Sequence, residues 1–403
     1  MDTSHAPVAR HALLASFARN LAIPVLLLAF SSGCGSDSGN GQESSAGAGG
    51  FSQGGASASG GAAAAGGAAL GGESGGGSSS LGGAQPSGGS SPTSGGADAA
   101  GGADAAGGAT ADKFVGNITT GNSVDTDGLT YSDYWDQITP ENQGKWGSVQ
   151  SSPTSGFNWG SLDSIHDYTV SSGIVFKEHC FLWGAQQPEP QSGITETIVK
   201  NWMQSFCDRY QDTKLIDVVN EPPPHTNPGY ANNIGGGTDG DWAWIANAFK
   251  WADDACPNAI LILNDYNSIE WTADNQHFID IVKAIQDAGA PIDAVGAQAH
   301  DLDHSGVDFS TVQSLLAKLH DDTGLPVYIT EMDLSYSDDQ TQLSAYQQYF
   351  PLFWEADYVR GITIWGWIYG RTWSLAADSG LVRNGSSRPA MTYIMDLIGR
   401  PSP

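Results

Sequence analysis

Two glutamates stand directly behind short apolar runs, Glu221 after "LIDVVN" and Glu331 after "PVYIT". A short apolar run predicts a buried strand, so both carboxyls are expected at strand ends. A protonated carboxyl can donate a proton to a leaving group, and an ionised carboxyl can attack carbon as a nucleophile. Because one charge raises the pKa of its neighbour, two close carboxyls can divide these roles.

The elements that must position these carboxyls form an alternating series. Eight short apolar runs predict strands at 114–118, 137–142, 174–183, 215–219, 260–264, 292–298, 326–331 and 361–365. Apolar residues recur every three and four positions between them, which predicts helices at 159–172, 194–210, 240–254, 272–288, 308–321 and 339–355. This alternation predicts an α/β fold, a (β/α)8 barrel. An open doubly wound sheet is the alternative, but no G-x-G-x-x-G motif follows the first strand.

Polar and aromatic residues follow seven of the predicted strands, at the end where such barrels place their active sites. In chain order they are Glu141, Asn142, Lys145, His179, Trp183, Gln186, Asn220, Glu221, Asn264, Asp265, Tyr266, Gln298, His300, Glu331, Asp333, Trp365, Trp367 and Trp373. Aromatic faces suit the apolar faces of sugar rings, and amide and lysine donors suit hydroxyls. Two carboxyls facing each other across a sugar ring are the apparatus of glycoside hydrolysis.

Seven motifs resemble, in order along the chain, those of glycoside hydrolase family 10, the xylanase family. They are "PENQGKW" (140–146), "KEHCFLWGAQQP" (177–188), "DVVNEP" (217–222), "NDYN" (264–267), "GAQAH" (296–300), "YITEMDL" (328–334) and "GITIWGWIYGRTW" (361–373). The resemblance implies a retaining endo-β-1,4-xylanase that acts through a covalent glycosyl-enzyme, with carboxyls about 5–5.5 Å apart. A β-1,4-glucanase or mixed-specificity glycanase, and a non-catalytic carbohydrate-binding barrel, are the alternatives.

The resemblance also implies roles for individual residues. Glu221 is expected to be the general acid/base and Glu331 the nucleophile. Asn220 is expected to hydrogen-bond the sugar 2-hydroxyl, and His300 to lie between Glu331 and Asp333 and orient the nucleophile. The expected substrate-binding residues are Asn142, Lys145, His179, Trp183, Gln186, Tyr266, Gln298, Trp365 and Trp373.

No metal or other cofactor is expected. His300 and His304 have a spacing found in metal sites on helices, but the sequence offers no convincing third ligand. The expected binding partner is xylan or a related β-1,4-linked polysaccharide.

Two positions depart from the family pattern. Gly184 stands where a second histidine often follows the strand-three tryptophan, and Tyr369 stands where an aspartate is common. We expect Gly184 to leave room beside the sugar, which could shift preference between xylose and glucose, a discrimination worth about 1–3 kcal/mol. Pro222 is expected to make the chain leave the strand extended at Glu221.

The chain before residue 112 has a different composition. Residues 1–33 contain two arginines and the apolar run "LAIPVLLLAF", too short for a bilayer but typical of a signal peptide. The following "SSGC" resembles a lipobox, which predicts a bacterial exported lipoprotein of the outer membrane or cell surface, lipidated on Cys34; a secreted protein is the alternative. Residues 34–111 are rich in Gly, Ala and Ser and predict a disordered tether. Residues 112–403 are expected to form the catalytic domain.

Charge and cysteines limit the partners and the cross-links. The net charge of −28 argues against nucleic acid or anionic lipid as a partner. We therefore expect membrane contact only through a lipid on Cys34. A monomer is expected separately, without support from the charge. Three further cysteines, Cys180, Cys207 and Cys256, permit one disulfide at most, and their spacing does not identify the pair.

Overall fold

The computed structural model describes residues 113–119, 121, 124–125, 128–237, 240–303 and 306–401. The predicted signal peptide, the predicted tether, Cys34 and His304 lie outside these residues. Among the described residues, no helix is both long and apolar enough to cross a membrane.

Eight parallel strands close into a barrel in chain order. They are β1 (Phe114–Thr119), β2 (Gln137–Pro140), β3 (Val175–Leu182), β4 (Leu215–Asn220), β5 (Ile260–Asp265), β6 (Ala294–Ala297), β7 (Val327–Met332) and β8 (Val359–Ile364). Pairing of β1 with both β2 and β8 closes the sheet. Each strand overlaps one predicted apolar run, as expected for parallel strands covered on both faces. The predicted (β/α)8 architecture is confirmed.

Helices follow the strands around the outside of the barrel. They are α1 (Trp146–Val149), α2 (Gly160–Ser172), α3 (Glu196–Arg209), α4 (Ala243–Ala255), α5 (Thr272–Asp287), α6 (Phe309–Thr323), α7 (Asp339–Glu355) and α8 (Pro389–Leu397). The six predicted helices correspond to α2 through α7. The sequence prediction lacked α1, a single turn after β2, and α8, which packs against α7. Pro389 suits the first turn of α8, where a backbone N–H has no partner within the helix.

A stack of three tryptophans fixes the segment between β2 and β3. Trp202 of α3 lies between Trp146 and Trp159, with ring centroids 5.7 Å apart in both pairs and nearly parallel planes. The Trp202 indole also donates to the carbonyl of Phe181 in β3 at 3.2 Å. Large aromatic faces buried in this way contribute strongly to packing. Because Trp146 directly follows Lys145, the stack also holds the loop that presents Lys145.

One disulfide joins two helices at the end of the barrel where the strands begin. Cys207 in the last turn of α3 is bonded to Cys256, which directly follows α4, with Cα atoms 5.5 Å apart. Cys180 in β3 is a buried free thiol. The disulfide therefore lies away from the carboxyl ends of the strands, where the polar residues gather.

Candidate active site

The ends of β3, β4 and β6 surround Glu221, which directly follows β4. The Trp183 indole Nε1 donates to Glu221 Oε2 at 2.8 Å. The Gln298 amide Nε2 donates to Asn220 Oδ1 at 3.1 Å and lies 3.4 Å from Glu221 Oε1. Two side chains predicted from separate motifs, Trp183 and Gln298, therefore hold one carboxyl and its neighbouring amide.

Asn264, the penultimate residue of β5, links the two carboxylate-bearing strands. Its Nδ2 donates to Asn220 Oδ1 and to Glu331 Oε1, both at 2.8 Å. Its Oδ1 accepts from the Thr330 hydroxyl at 2.6 Å. The sequence placed Asn264 at a strand end but not among the site residues, although its position in "NDYN" was an available signal.

His300 follows β6 and contacts two carboxylates of the β7 region. Its Nε2 lies 3.3 Å from Glu331 Oε2, and its Nδ1 lies 2.9 Å from Asp333 Oδ2. Nδ1 and Asp333 Oδ2 are close enough for an ion pair, but the angle between them does not fit a hydrogen bond. His300 therefore lies between Glu331 and Asp333.

A buried cluster supports Glu331 from the interior of the barrel. Asp217 Oδ2 accepts from Lys177 Nζ at 2.6 Å and from His179 Nδ1 at 2.9 Å. That same histidine nitrogen lies 3.9 Å from Glu331 Oε1. Lys177 and Asp217 were not predicted as site residues, yet charged residues inside the otherwise apolar runs "IVFKEHC" and "LIDVV" were a readable signal, since buried charges must be paired.

The pKa values of the two glutamates diverge. Burial and the charge of Glu331 raise the pKa of Glu221, against the hydrogen bonds from Trp183 and Gln298 that lower it. Burial would also raise the pKa of Glu331, but His179, His300 and Lys177 outweigh it and lower the pKa to about 2. At neutral pH Glu331 is ionised, and Glu221 is the carboxyl that more readily holds a proton.

A polar group of side chains lies on the side of Glu221 formed by the β2 and β3 loops. Lys145 Nζ donates to Gln186 Oε1 at 2.9 Å and to Asn142 Oδ1 at 3.3 Å. The same ammonium lies 5.0 Å from the centroid of the Trp183 ring. Asn142 and Gln186 are exposed, so their amides can meet a ligand.

The predicted tryptophans after β8 have different environments. Trp365 is buried with its ring 5.4 Å from that of His179. Trp373 is 40% exposed, and its Nε1 donates to Asp333 Oδ2 at 3.1 Å. The Trp373 backbone N–H donates to Glu141 Oε1 at 3.0 Å, and burial raises the pKa of Glu141 to about 7. Trp367, placed with the rim in the sequence analysis, lies instead in the core.

Tyr266 lies on the other side of Glu221 and stacks on His225. The two ring centroids are 3.8 Å apart. His225 Nδ1 pairs with Asp265 Oδ1 at 2.7 Å, and its Nε2 lies 3.7 Å from Asp274. Burial would lower the pKa of His225, but the two aspartates raise it to about 10. His225 is therefore a charged platform under the Tyr266 ring that the site prediction did not include.

Four residues in or next to these strand ends have left-handed backbone angles. The φ angles are 47° at Gln186, 48° at Glu221, 60° at Asn267 and 63° at Ala299. Such a residue other than glycine costs about 1–3 kcal/mol and persists where its surroundings enforce it. The expected extended backbone at Glu221 is therefore wrong, since the chain turns sharply at the carboxylate itself.

The two departures from the family pattern also have physical explanations. A Cβ at Gly184 would lie 2.6 Å from Thr226 Cβ and 3.0 Å from the Asn227 nitrogen. The expectation that Gly184 leaves room is wrong, because the loop after β4 fills that space. The Tyr369 ring packs under the Arg383 guanidinium, 4.3 Å from its centroid.

The structure joins the predicted site residues in one network of contacts, apart from Tyr266, which stacks on His225. Contacts run from Asn142 through Lys145, Trp183, Glu221, Gln298, Asn220, Asn264, Glu331, His300 and Asp333 to Trp373. Among the described residues, no group of three or more His, Cys, Asp or Glu side chains could hold a metal ion.

Comparisons with known proteins show which family the chain resembles. Residues 104–397 match the model of glycosyl hydrolase family 10. Endo-1,4-beta-xylanase B of Cellvibrio japonicus is 42% identical over 292 residues, which cover 71% of this chain and 46% of that protein. Endo-1,4-beta-xylanase B of Thermotoga neapolitana is 28% identical over 253 residues, covering 59% of this chain and 71% of that protein. This chain thus spans about half the length of the Cellvibrio relative.

A solved structure has the same fold. The GH10 protein of Paenibacillus barcinonensis aligns with a TM-score of 0.61 and 22% identity, over 72% of this chain and 96% of that chain. Together with the family model, which matches most of the chain from 104 to 397, the fold and the site lead to one conclusion: the chain belongs to glycosyl hydrolase family 10.

Proposed function

We propose that the protein is a retaining endo-β-1,4-xylanase that hydrolyses internal bonds of xylan. The observation that carries the proposal is the divergence of the two glutamates: burial and the neighbouring charge raise the pKa of Glu221, while the histidines and Lys177 lower that of Glu331 to about 2. This divergence provides a proton donor and a nucleophile at the same pH. Two relatives named as endo-1,4-beta-xylanases support the substrate class.

The first step forms a glycosyl-enzyme. Glu331 attacks the anomeric carbon as the bond to the bridging oxygen breaks, and Glu221 donates its proton to that oxygen. Asn264 and His300 fix the two oxygens of Glu331, which restricts the orientation of attack. Asn220 hydrogen-bonds the sugar 2-hydroxyl in this proposal, a contact that strengthens in the transition state.

The second step returns both groups to their starting states. Once Glu331 is esterified, its negative charge no longer raises the pKa of Glu221. Glu221 can then accept a proton from water as the water attacks the anomeric carbon and releases Glu331. The loss of one charge therefore converts the acid of the first step into the base of the second.

The rest of the site suits an uncharged polysaccharide. A hydrogen-bonded cluster is formed by Lys145, Gln186 and Asn142. Its remaining hydrogen-bond donors and acceptors can bind sugar hydroxyls. The exposed Trp373 ring and the half-buried Tyr266 ring can pack against pyranose faces. A β-1,4-glucanase or mixed-specificity glycanase is the alternative. The main argument for it was open space beside Gly184, and Thr226 fills that space.

A reducing-sugar assay tests the substrate class. We expect release from xylan, and little from carboxymethyl-cellulose or mixed-linkage glucan. Faster release from either glucan would overturn the xylanase proposal in favour of the alternative, and no release from any of the three would favour a carbohydrate-binding barrel.

Glu331→Ala tests the nucleophile. We expect hydrolysis of arabinoxylan to be abolished while sugar binding, measured by calorimetry, is largely retained. Glu355→Ala is a matched control, because Glu355 is exposed at the end of α7. Undiminished turnover by Glu331→Ala would refute the nucleophile assignment.

We further propose that the protein is exported and anchored by a lipid on Cys34, and that it is a monomer. The signal-like run before Cys34 supports export. The Cys207–Cys256 disulfide is also consistent with export, since disulfides persist in oxidising compartments. Cys34→Ser should lose membrane association, and retention in the membrane fraction would refute the anchor.

Light scattering after gel filtration tests the monomer proposal, and a mass of two or more chains would refute it.

A further inference from the structure

Thr226 links the two loops that carry the proposed acid/base and its hydrogen-bond donor. Its hydroxyl donates to the Glu221 carbonyl at 2.6 Å. The same hydroxyl accepts from the Gly184 N–H at 3.2 Å. A single side-chain oxygen thus uses both its donor and its acceptor capacity to join the loop after β4 to the loop after β3.

The link acts on a strained residue. Glu221 has a φ of 48°, a conformation that its surroundings must enforce. Its N–H donates to the Asn264 carbonyl at 2.8 Å, and its carbonyl accepts from both the N–H and the hydroxyl of Thr226, at 3.2 and 2.6 Å. Thr226 therefore provides two of these three backbone hydrogen bonds.

The link also acts on the carboxyl end of Glu221. Gly184 directly follows Trp183, whose indole donates to Glu221 Oε2 at 2.8 Å. The Trp183 carbonyl accepts from the Tyr230 hydroxyl at 3.1 Å, which ties the two loops together a second time. The hydrogen bond between Gly184 and Thr226 therefore lies next to Trp183, the residue that orients the Glu221 carboxyl.

The fit at this contact requires a glycine. A Cβ at Gly184 would lie 2.6 Å from Thr226 Cβ and 2.7 Å from Thr226 Oγ1. Real Cβ atoms do not approach other atoms this closely, so either the loop or the hydroxyl would have to move. The glycine and the threonine are therefore complementary parts of one contact.

We propose that Thr226 is a positioning residue for the acid/base, and that glycine at 184 serves to admit the Thr226 hydroxyl rather than to widen the sugar site. This inference rests on the proposed function of Glu221 as the proton donor. Thr226 acts through Glu221 and Trp183, without touching the reacting atoms.

Leaving-group dependence separates positioning from general damage. An aryl β-xylobioside with a poor leaving group, such as phenol, needs proton donation, whereas dinitrophenolate leaves without it. Thr226→Val keeps the shape and removes the hydroxyl, so we expect kcat/KM to fall about 10–100-fold for the phenyl substrate, part of the about 10²–10⁴-fold that a general acid contributes. The dinitrophenyl substrate should change less than about 3-fold, and Thr226→Ser should restore the phenyl rate. Equal losses on both substrates, or no loss, would overturn the proposal.

A second pair of variants tests the fit at Gly184. Gly184→Ala should give the same selective loss on the phenyl substrate. Thr226→Gly removes the Cβ and hydroxyl that a Cβ at 184 would meet at 2.6 and 2.7 Å, and leaves only the Asn227 nitrogen at 3.0 Å. In that background the change at 184 should therefore cost much less than it does in the native protein. Additive losses would show that position 184 acts independently of Thr226 and would overturn the complementary fit. Circular dichroism of each variant monitors folding.

The same series distinguishes failure of this inference from failure of the proposed function. If the native protein cleaves aryl cellobiosides instead of xylobiosides, the substrate proposal falls, and the leaving-group comparison on cellobiosides decides the role of Thr226. If it cleaves neither series, both proposals are overturned. If it cleaves xylobiosides and Thr226→Val loses activity equally on both leaving groups, only the positioning role is refuted.

Discussion

Replacing Trp183 with phenylalanine should shift the alkaline limit of activity upward. The Trp183 indole donates to Glu221 Oε2 at 2.8 Å, and this hydrogen bond lowers the Glu221 pKa because it favours the ionised form. Trp183→Phe removes the donor and retains an aromatic ring beneath Lys145, whose Nζ is 5.0 Å from the native ring centroid. The pKa of Glu221 should therefore rise, so that the acid stays protonated to a higher pH.

The size of the shift follows from the energy of that bond. A hydrogen bond to a charged group contributes about 1.5–3 kcal/mol. At about 1.4 kcal/mol for each pKa unit, the basic limb of kcat/KM should move upward by about 1–2 pH units. The limb in kcat/KM is the relevant one, since it reports the free enzyme.

The assay is kcat/KM for phenyl β-xylobioside across the pH range for Trp183→Phe and the native protein. Trp251→Phe is the matched control, because Trp251 also lies beneath a lysine, with Lys200 Nζ 4.9 Å from its ring, but has no part in the site. The control should leave the basic limb in place. A basic limb that stays fixed or moves downward in Trp183→Phe would refute the reasoning that the indole bond tunes Glu221.

Two further predictions concern Glu331 and the disulfide. His179, His300 and Lys177 together lower the Glu331 pKa to about 2. His300→Gln removes one of these cations, so the acid limb of kcat/KM should rise by about 1–3 pH units; an unmoved acid limb would show that His300 does not keep Glu331 ionised. Cys207→Ser with Cys256→Ser opens a loop with a sequence separation of 49, which by chain entropy should lower the free energy of unfolding by about 4 kcal/mol. Denaturant titration measures that loss, and a large fall in kcat/KM at 25 °C would contradict the placement of the disulfide away from the site.

The barrel was predictable because each of its strands can be recognised from a short stretch of sequence. Each parallel strand is buried on both faces and therefore reads as an apolar run, and each run places the residues behind it at the same rim. α8 was missed because residues 365–388, which include a small two-stranded sheet, separate it from β8, so no helical pattern directly follows the last apolar run. Trp367 was wrongly assigned to the rim, because the sequence after β8 does not show whether Trp365 or Trp367 faces the core.

What could not be predicted depends on contacts between distant segments. The left-handed angle at Glu221 is enforced by Thr226 and Asn264, and nothing in "DVVNEP" indicates it. The role of Gly184 was misread because the space next to a glycine depends on the neighbouring loop, here the one carrying Thr226. Pairing of Lys177 with Asp217 likewise requires the register between β3 and β4.

Four residues with left-handed backbone angles lie in or next to the carboxyl ends of the strands, so stabilising changes there affect activity, whereas stabilising changes at the other end of the barrel do not. Ala299 precedes His300 and has a φ of 63°, so Ala299→Gly would relieve strain and raise heat tolerance while loosening the loop that holds the histidine. The end of the barrel with the Cys207–Cys256 disulfide carries no such trade-off, because it lies away from the carboxylates. Selection for thermal tolerance alone would therefore relax the mouth of the barrel at the expense of turnover. A stabilised variant that keeps its rate should carry its changes at the opposite end.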